Sequence, residues 1–278
     1  MRVTVEDTLS PITNVGAGVP QGGVLSPLLY VLYTHDVPRP PLTALYADDT
    51  AHIISKPTPQ EASETASSTL QATADWAQRT RTKINETKTQ LLYINPAGGR
   101  RPNLSVKLNG QTLQPTSQLT YLGVSFDQNL SFNNHVKKTT GRAKQIFFAL
   151  KRYITCHPES QPTWEKLYPT TIQPIMAYGM EALSTIGQEA LRQLEVAERS
   201  MLRQVYRADR REGNEALYNG KIQPIAKVIR QRAKETLTAA AQSTNPLINT
   251  LGQYEELGYT FRRPGDLTTS SSSDESNN

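Results

Sequence analysis

The spacing of apolar residues changes character along this chain. Up to about residue 126, short apolar runs alternate with Gly, Pro, Asn and Asp, which is typical of short strands joined by turns. From Phe132 onward, apolar residues recur every three or four positions, which predicts amphipathic helices. We therefore predict an α+β protein: a mixed part over residues 1–126, a mostly helical part over 127–265, and a disordered, acidic, Ser-rich tail at 266–278.

The first forty residues predict two short strands and one helix. Residues 2–5 and 13–15 read as strands, joined by a Ser-Pro turn. Ser26 is the predicted N-cap of the helix, with Pro27 at the first helical position, because a serine hydroxyl accepts from free amide groups and proline needs no amide there. Pro38 is predicted to stop the helix.

The next segment predicts a hairpin followed by a helix. Residues 42–47 and 50–55 read as antiparallel strands, which places Asp48 and Asp49 at the tip of the hairpin. Residues 58–61, Thr-Pro-Gln-Glu, have the form of a capping box and precede apolar residues at helical spacing. We expect that helix to cover one face of a sheet.

A second hairpin and three basic helices follow. Asn109 and Gly110 are the strongest hairpin signal in the chain. Two later helices are predicted over about 189–207 and 225–241. The helix after Phe132 interleaves apolar residues with cations, of which we select Lys137, Lys138, Arg142 and Lys144.

Composition and charge indicate an anionic partner. The chain has 278 residues, of which 37% are hydrophobic, and a pI of about 9.2, so we expect a soluble globular protein. Lys and Arg outnumber Asp and Glu by 20 to 13 in residues 127–265, against 10 to 9 in residues 1–126. This excess suits a phosphate backbone, with ordinary solvated helix faces as the alternative.

Neither a membrane nor a secretory pathway is expected. The longest apolar stretch, residues 24–33, is interrupted by Ser-Pro and is shorter than the roughly 20 residues of a bilayer span. The start shows no signal-peptide pattern, and Cys156 is the only cysteine. A reducing compartment fits a chain with a single cysteine, so we expect an intracellular protein of the cytosol or the nucleus.

Asp48 and Asp49 stand between two apolar runs, residues 42–45 and 53–54. Adjacent carboxylates near a core lose hydration and repel each other, which raises at least one pKa unless a cation compensates. Oxygen ligands of this kind suit Mg²⁺, which binds through one or two carboxylates and substrate phosphates. The pair thus suggests phosphoryl transfer, although an Asp-Asp turn without a metal is the alternative.

A second block gives the carboxylate pair a context. A Pro-Gln-Gly loop at residues 20–22 is followed by the Ser-Pro helix and then by Tyr-Ala-Asp-Asp at residues 46–49. In order and spacing, the chain resembles the reverse transcriptases of non-LTR retrotransposons of the jockey-like kind. The resemblance implies part of a polymerase palm, an antiparallel sheet with packed helices, then a helical thumb and a C-terminal extension.

The resemblance also implies roles for individual residues. Pro20, Gln21 and Gly22 would contact the incoming nucleotide and template, and Lys88 would approach the triphosphate. A solvent-facing lysine in a turn is the alternative for Lys88. The residues implied at the primer end are Tyr46, Ala47, Tyr121, Leu122 and Gly123, with core packing for Tyr46 and a plain edge hairpin for the last three as alternatives.

The implied reaction joins a deoxynucleoside triphosphate to the 3′-hydroxyl of a DNA primer on an RNA template. Two Mg²⁺ ions are expected in the complete enzyme, with Asp48 as a direct ligand and Asp49 tuning the electrostatics or coordinating less directly. The cations at Lys137, Lys138, Arg142 and Lys144 would hold the duplex backbone. The resemblance also implies a protein of the nucleus or of a cytoplasmic ribonucleoprotein.

The family's mechanism uses a third carboxylate from a separate palm strand upstream of the Pro-Gln-Gly loop. Only nineteen residues precede Pro20, and Glu6 and Asp7 lie in a turn-like context. We expect a truncated reverse transcriptase that polymerises nothing alone. The alternatives are a non-enzymatic nucleic-acid-binding remnant and an RNA-dependent RNA polymerase fragment, although those polymerases commonly carry Gly-Asp-Asp where this chain has Ala47. The oligomeric state stays open.

Overall fold

The computed structural model describes residues 2, 4–12, 14, 16, 18–40, 42–95, 102, 104–154, 158–180, 187–218 and 221–252. The chain packs as two compact units, Met1–Leu91 with Arg100–Pro115, and Leu92–Gly99 with Thr116–Asn278. The predicted tail at 266–278 lies outside the described residues. Helix and strand are both present, as an α+β fold requires, whereas the palm and thumb assignments stay predictions.

The first unit consists of small hairpins and two described helices. Strand β1 pairs with β2 and β3 with β4, and β6 pairs with β7 after the short strand β5. The bounds are β1 Thr4–Val5, β2 Thr8–Leu9, α1 Ser26–Tyr33, β3 Thr43–Tyr46, β4 Asp49–His52, α2 Pro59–Arg79, β5 Leu91–Leu92, β6 Val106–Leu108 and β7 Gln111–Leu113.

The predicted start of this unit is partly wrong. The chain turns at Glu6 and Asp7, between β1 and β2, instead of at Ser10, because Glu6 adopts a left-handed φ of 53° that closes the hairpin early. Residues 13 and 15 lie outside the described part. Helix α1 begins at Ser26 itself, with Leu25 as the N-cap residue and no side-chain cap, and it ends at Tyr33, before Pro38.

Helix α2 organises the described core of the first unit. The predicted capping box is confirmed, since the Thr58 hydroxyl accepts a hydrogen bond of 3.3 Å from the amide of Glu61. Two serines of α2 hydrogen-bond to the segment around β6: the Ser63 hydroxyl donates to the Ser105 carbonyl at 2.6 Å, and the Ser67 hydroxyl accepts from the Lys107 amide at 3.3 Å. The Trp76 indole packs in a small buried cluster and donates to the Asp36 carboxylate at 2.9 Å.

The second unit is a helical bundle that carries one hairpin. Strand β9 pairs with β10, and six α-helices follow within the described residues. The bounds are β8 Pro115–Thr116, β9 Gln118–Tyr121, β10 Val124–Asp127, α3 Asn133–Lys151, α4 Gln161–Leu167, a π-helical turn Tyr168–Ile172, α5 Gln173–Ala177, α6 Gln188–Tyr206, α7 Ile225–Ala241 and α8 Pro246–Gly252. The helices predicted near 189–207 and 225–241 are confirmed as α6 and α7.

Large side chains from α3 to α7 form one core in this unit. Phe147 of α3 meets Trp164 of α4 with ring centroids 5.0 Å apart. The core also contains a carboxylate, Glu198, which is fully buried and accepts hydrogen bonds from Gln173, Tyr218 and the amide of Ile225. A buried carboxylate that accepts several hydrogen bonds needs no cation as a partner. Through these hydrogen bonds Glu198 connects α6 to α5 and α7. No described helix is long and apolar enough to cross a membrane.

Candidate active site

The Asp-Asp pair lies at the tip of the β3–β4 hairpin, as predicted. Tyr46 pairs with Asp49 and Leu45 with Thr50, so Ala47 and Asp48 form a two-residue turn. Ala47 has a φ of 50°, a left-handed conformation that side chains with a Cβ atom rarely adopt. The turn thus presents Asp48 at the apex and Asp49 at the first position of β4.

The argument that these carboxylates lie against the core is wrong. Asp48 and Asp49 are both exposed, since alternate residues of β3 turn inward and the tip extends past them. Tyr46 is 66% exposed, so the core-packing alternative for its ring is also wrong. The side chains of Tyr46, Asp48 and Asp49 are therefore all exposed to solvent at this end of the hairpin.

Helix α1 contributes a residue to this region that the sequence reasoning missed. Burial and the negative charge of Asp48 both raise the pKa of the Tyr30 hydroxyl. Tyr30 therefore lies within electrostatic reach of the hairpin tip. The sequence contained one signal for Tyr30, namely its position on the helix that directly follows the Pro-Gln-Gly loop.

The Pro-Gln-Gly loop folds back onto the start of α1. The Pro20 carbonyl accepts from the amide of Gly23 at 3.1 Å and from the Ser26 hydroxyl at 2.6 Å. A Cβ atom at Gly23 would come within 2.6 Å of that hydroxyl oxygen, so the closure requires a glycine. Gln21 and Gly22 are exposed at the bend, where Gly22 has a φ of 81°. The Ser26 hydroxyl thus shapes the loop instead of capping the helix.

Lys88 lies on a separate turn of the first unit. Its backbone amide donates to the Asn85 carbonyl at 3.2 Å, and its side chain is exposed. This turn precedes β5, so the local prediction is confirmed, whereas a role toward a triphosphate stays a prediction.

The second unit carries the hairpin that we related to primer binding. Leu122 and Gly123 both have positive φ, 47° and 80°, and connect Tyr121 of β9 to Val124 of β10. Two consecutive left-handed residues are typical of a type I′ turn. The hydroxyl of Tyr178, which lies 56 residues further along the chain, donates to the Leu122 carbonyl at 2.8 Å. No local pattern pointed to Tyr178.

Helix α3 exposes one basic face. The residues that it buries include Val136, Ala143 and Phe147, on the side opposite to its cations. All four selected cations are exposed: Lys137, Lys138, Arg142 and Lys144. Lys144 also lines a groove of about 560 Å³ with Arg192, Val196 and Glu189 of α6, where the charges are mixed.

The donor set at the hairpin tip suits a hard cation. Asp48 and Asp49 offer adjacent, exposed carboxylate oxygens, the ligand type that Mg²⁺ prefers. Over the described part of the chain, no group of three or more His, Cys, Asp or Glu residues is arranged to hold a metal ion. The two carboxylates thus fit part of a Mg²⁺ site.

The sequence of this chain is similar to that of a known protein family. The family of the reverse transcriptases (RNA-dependent DNA polymerases) matches residues 6–126, which include the Pro-Gln-Gly loop, the Asp-Asp hairpin and the β9–β10 turn. No solved structure matches the chain significantly.

Curated relatives extend the match into the second unit. A probable RNA-directed DNA polymerase from transposon BS of Drosophila melanogaster is 30% identical over 221 residues, 73% of this chain and 24% of that protein. The RNA-directed DNA polymerase from mobile element jockey of Drosophila funebris is 27% identical over 214 residues, 73% of this chain and 23% of that protein. The chain spans about a quarter of the length of these relatives. Residues 6–126 thus belong to the reverse transcriptase family, and over 73% of its length the chain is similar to the RNA-directed DNA polymerases of jockey and related mobile elements.

Proposed function

We propose that this chain supplies the Asp-Asp hairpin, the nucleotide loop and the primer-holding surface of an RNA-directed DNA polymerase. The reaction is attack of a primer 3′-hydroxyl on the α-phosphate of a deoxynucleoside triphosphate, directed by an RNA template. The observation that carries the proposal is the exposed Asp48–Asp49 pair on a two-residue turn, together with the loop that folds onto α1.

The hairpin tip would hold the metal ions of the reaction. Two Mg²⁺ ions, when bound, stabilise the attacking and leaving oxygens of an in-line displacement. Asp48 stands at the apex of the turn and is the direct ligand, whereas Asp49 is fixed by its pairing with Tyr46 and adjusts the local charge. The small side chain of Ala47 leaves room for the primer end beside these carboxylates.

The Pro-Gln-Gly loop would receive the nucleotide. Gln21 offers an amide that both donates and accepts, and Gly22 leaves the backbone open to a base or sugar. The bond from the Ser26 hydroxyl to Pro20 holds this shape before a nucleotide arrives. Lys88, from its exposed turn, would approach the triphosphate and protonate the departing pyrophosphate.

The second unit would hold the nucleic acid. Tyr121, Leu122 and Gly123 support the primer end, because the left-handed turn brings backbone close to a strand. The cations of α3 contact phosphates without reading bases, which suits a polymerase that copies any sequence.

We further propose that the chain by itself extends no primer, since the family's reaction draws on a third carboxylate besides the two of this hairpin. The test is primer extension with the purified chain, an RNA template, a DNA primer and Mg²⁺. No extension is expected. Extension that Asp48→Ala abolishes would refute this part of the proposal.

Metal binding gives an independent test. Electron paramagnetic resonance of Mn²⁺, which replaces Mg²⁺ at oxygen sites, is expected to show weak binding that Asp48→Asn removes and Asp49→Asn reduces. The matched control is the double variant Glu6→Gln with Asp7→Asn, which alters another exposed pair of adjacent carboxylates in a hairpin turn. Equal Mn²⁺ binding by the wild type and Asp48→Asn would contradict the metal assignment.

A second function is favoured by the basic face of α3. Four exposed cations on one helix suit a non-enzymatic protein that holds an RNA/DNA duplex. Salt-sensitive duplex binding that Asp48→Ala leaves unchanged, combined with no Mn²⁺ binding at the hairpin, would favour this binder over a polymerase.

A further inference from the structure

Tyr178 packs against the Leu122–Gly123 turn and hydrogen-bonds to it. Its hydroxyl donates to the Leu122 carbonyl at 2.8 Å, and a Cβ atom at Gly123 would lie 3.2 Å from its Cε1 atom. The ring therefore packs directly on the turn. Position 123 needs a glycine for two reasons. Its φ of 80° is left-handed, and the Tyr178 ring occupies the space that a Cβ atom would fill.

The backbone of Tyr178 is fixed in turn by a buried histidine. His135 of α3 is fully buried, and its Nε2 atom donates to the Tyr178 carbonyl at 2.9 Å. Its Nδ1 atom accepts from the amide of Ser125 in β10 at 3.4 Å. Gly179 lets the chain approach closely, since a Cβ atom there would come within 2.7 Å of the Val124 side chain. Tyr178 is thus held to β10 by α3.

The ring nevertheless remains accessible. Tyr178 is 51% exposed and Leu122 is 37% exposed. A surface tyrosine commonly directs its hydroxyl to water, whereas this hydroxyl is bonded to the turn. Ring carbon atoms are therefore offered to solvent beside a turn whose backbone is already immobilised.

We propose that Tyr178 is a nucleic-acid-binding residue whose ring stacks on the terminal base of the primer. The assignment rests on the proposed function, which places a primer end at the Leu122–Gly123 turn. Aromatic rings stack on any base, so this contact holds a strand end without sequence preference. The buried bonds of His135 reduce the entropy that the ring would lose on binding.

The test separates the ring from its hydroxyl. Tyr178→Phe keeps the ring, Tyr178→Leu removes it, and Tyr153→Leu is the matched control, because Tyr153 is an exposed tyrosine of the same unit. Binding is measured with an RNA/DNA hybrid that has a recessed primer 3′ end. Tyr178→Leu is expected to weaken binding about tenfold, which corresponds to about 1.4 kcal/mol and lies within the range of a base–aromatic stack. Tyr178→Phe and Tyr153→Leu should stay near the wild type.

A spectroscopic readout checks the contact itself. With 2-aminopurine as the terminal primer base, the wild type and Tyr178→Phe should quench its fluorescence, and Tyr178→Leu should not. Equal losses in Tyr178→Phe and Tyr178→Leu would mean that only the hydroxyl matters and would overturn the assignment. If Tyr178→Leu does not fold, a photocrosslink from 5-iododeoxyuridine at the primer end of the wild type decides. A crosslink at Tyr178 supports the assignment, and one found only elsewhere overturns it.

The two proposals fail in different ways. A wild-type chain that binds no hybrid overturns the proposed function and this assignment together. A wild type that binds the hybrid, while a folded Tyr178→Leu variant binds it equally well and quenches equally, overturns this assignment alone.

Discussion

The basic face of α3 gives a quantitative prediction for duplex binding. Lys137, Lys138, Arg142 and Lys144 are exposed, while the opposite side of the helix is buried in the core of the second unit. Replacing all four with glutamine removes charge and leaves the buried side intact. The variant should therefore fold as the wild type does and lose affinity for an RNA/DNA hybrid.

The magnitude follows from counterion release. Each phosphate contact contributes about 0.9 to the slope of log affinity against log salt, so four contacts contribute about 3.6. Between 50 and 200 mM KCl, this part of the slope corresponds to a fall in affinity of about 150-fold. The quadruple variant should lack that part of the salt dependence, whereas each single variant should reduce the slope by about 0.9.

Fluorescence anisotropy of a labelled hybrid at several KCl concentrations measures the slope directly. Lys166→Gln is the control for Lys144→Gln, because Lys166 is an exposed lysine of α4 in the same unit. A quadruple variant with the slope of the wild type would refute the reasoning. A fall of the salt slope in Lys166→Gln as large as that in Lys144→Gln would also refute it, because a general loss of positive charge would then explain the result.

Three further predictions concern stability. Burial alone would raise the pKa of Asp127, but hydrogen bonds from Ser131, Asn129 and Phe132 hold it below its ordinary value of 3.8. The carboxylate thus stabilises the fold above pH 3.8, and urea denaturation should show the advantage of wild type over Asp127→Asn shrinking as pH falls below that value. Glu198 is the opposite case, because burial raises its pKa above 4.5 despite three donors. The Glu198 carboxyl therefore holds its proton more tightly in the folded protein than in the unfolded chain. The excess unfolding free energy of the wild type over Glu198→Gln should be largest below pH 4.5 and decline as pH rises. A difference that does not change with pH would contradict the burial argument. At the hairpin tip, Ala47→Gly relieves a left-handed alanine that costs about 1–2 kcal/mol. The added freedom of the unfolded chain offsets about 0.4–1 kcal/mol of this, so thermal unfolding of the first unit should shift upward slightly, and a lower midpoint would count against strain at Ala47.

Local signals in the sequence were sufficient for several elements of the fold and the site. The Asp-Asp tip, the Thr58 capping box and the Asn109–Gly110 turn each depend on a few adjacent residues whose backbone preferences act without the rest of the chain. The order of the Pro-Gln-Gly and Tyr-Ala-Asp-Asp motifs was likewise enough to recognise the family that the comparisons show.

The exposure and the hydrogen-bond partners of individual side chains could not be predicted from these local signals. The flanking leucines and isoleucines of the Asp-Asp pair suggested burial, but both carboxylates are exposed, because exposure depends on where the hairpin ends relative to its packing partners. The Ser26 hydroxyl is another example, since it satisfies either a helix end or a loop carbonyl, and the path of the loop selects Pro20.

The sequence by itself determined the family, the later hairpins, the long helices and the carboxylate pair of this protein. Only the tertiary structure decided which distant residues complete the surfaces around them: Tyr30 near Asp48, and Tyr178 with His135 behind the Leu122–Gly123 turn. The physical reason is that turns and caps are set by local backbone energetics. A contact across 56 residues, such as that between Tyr178 and Leu122, exists only when the helices of the second unit pack around their shared core.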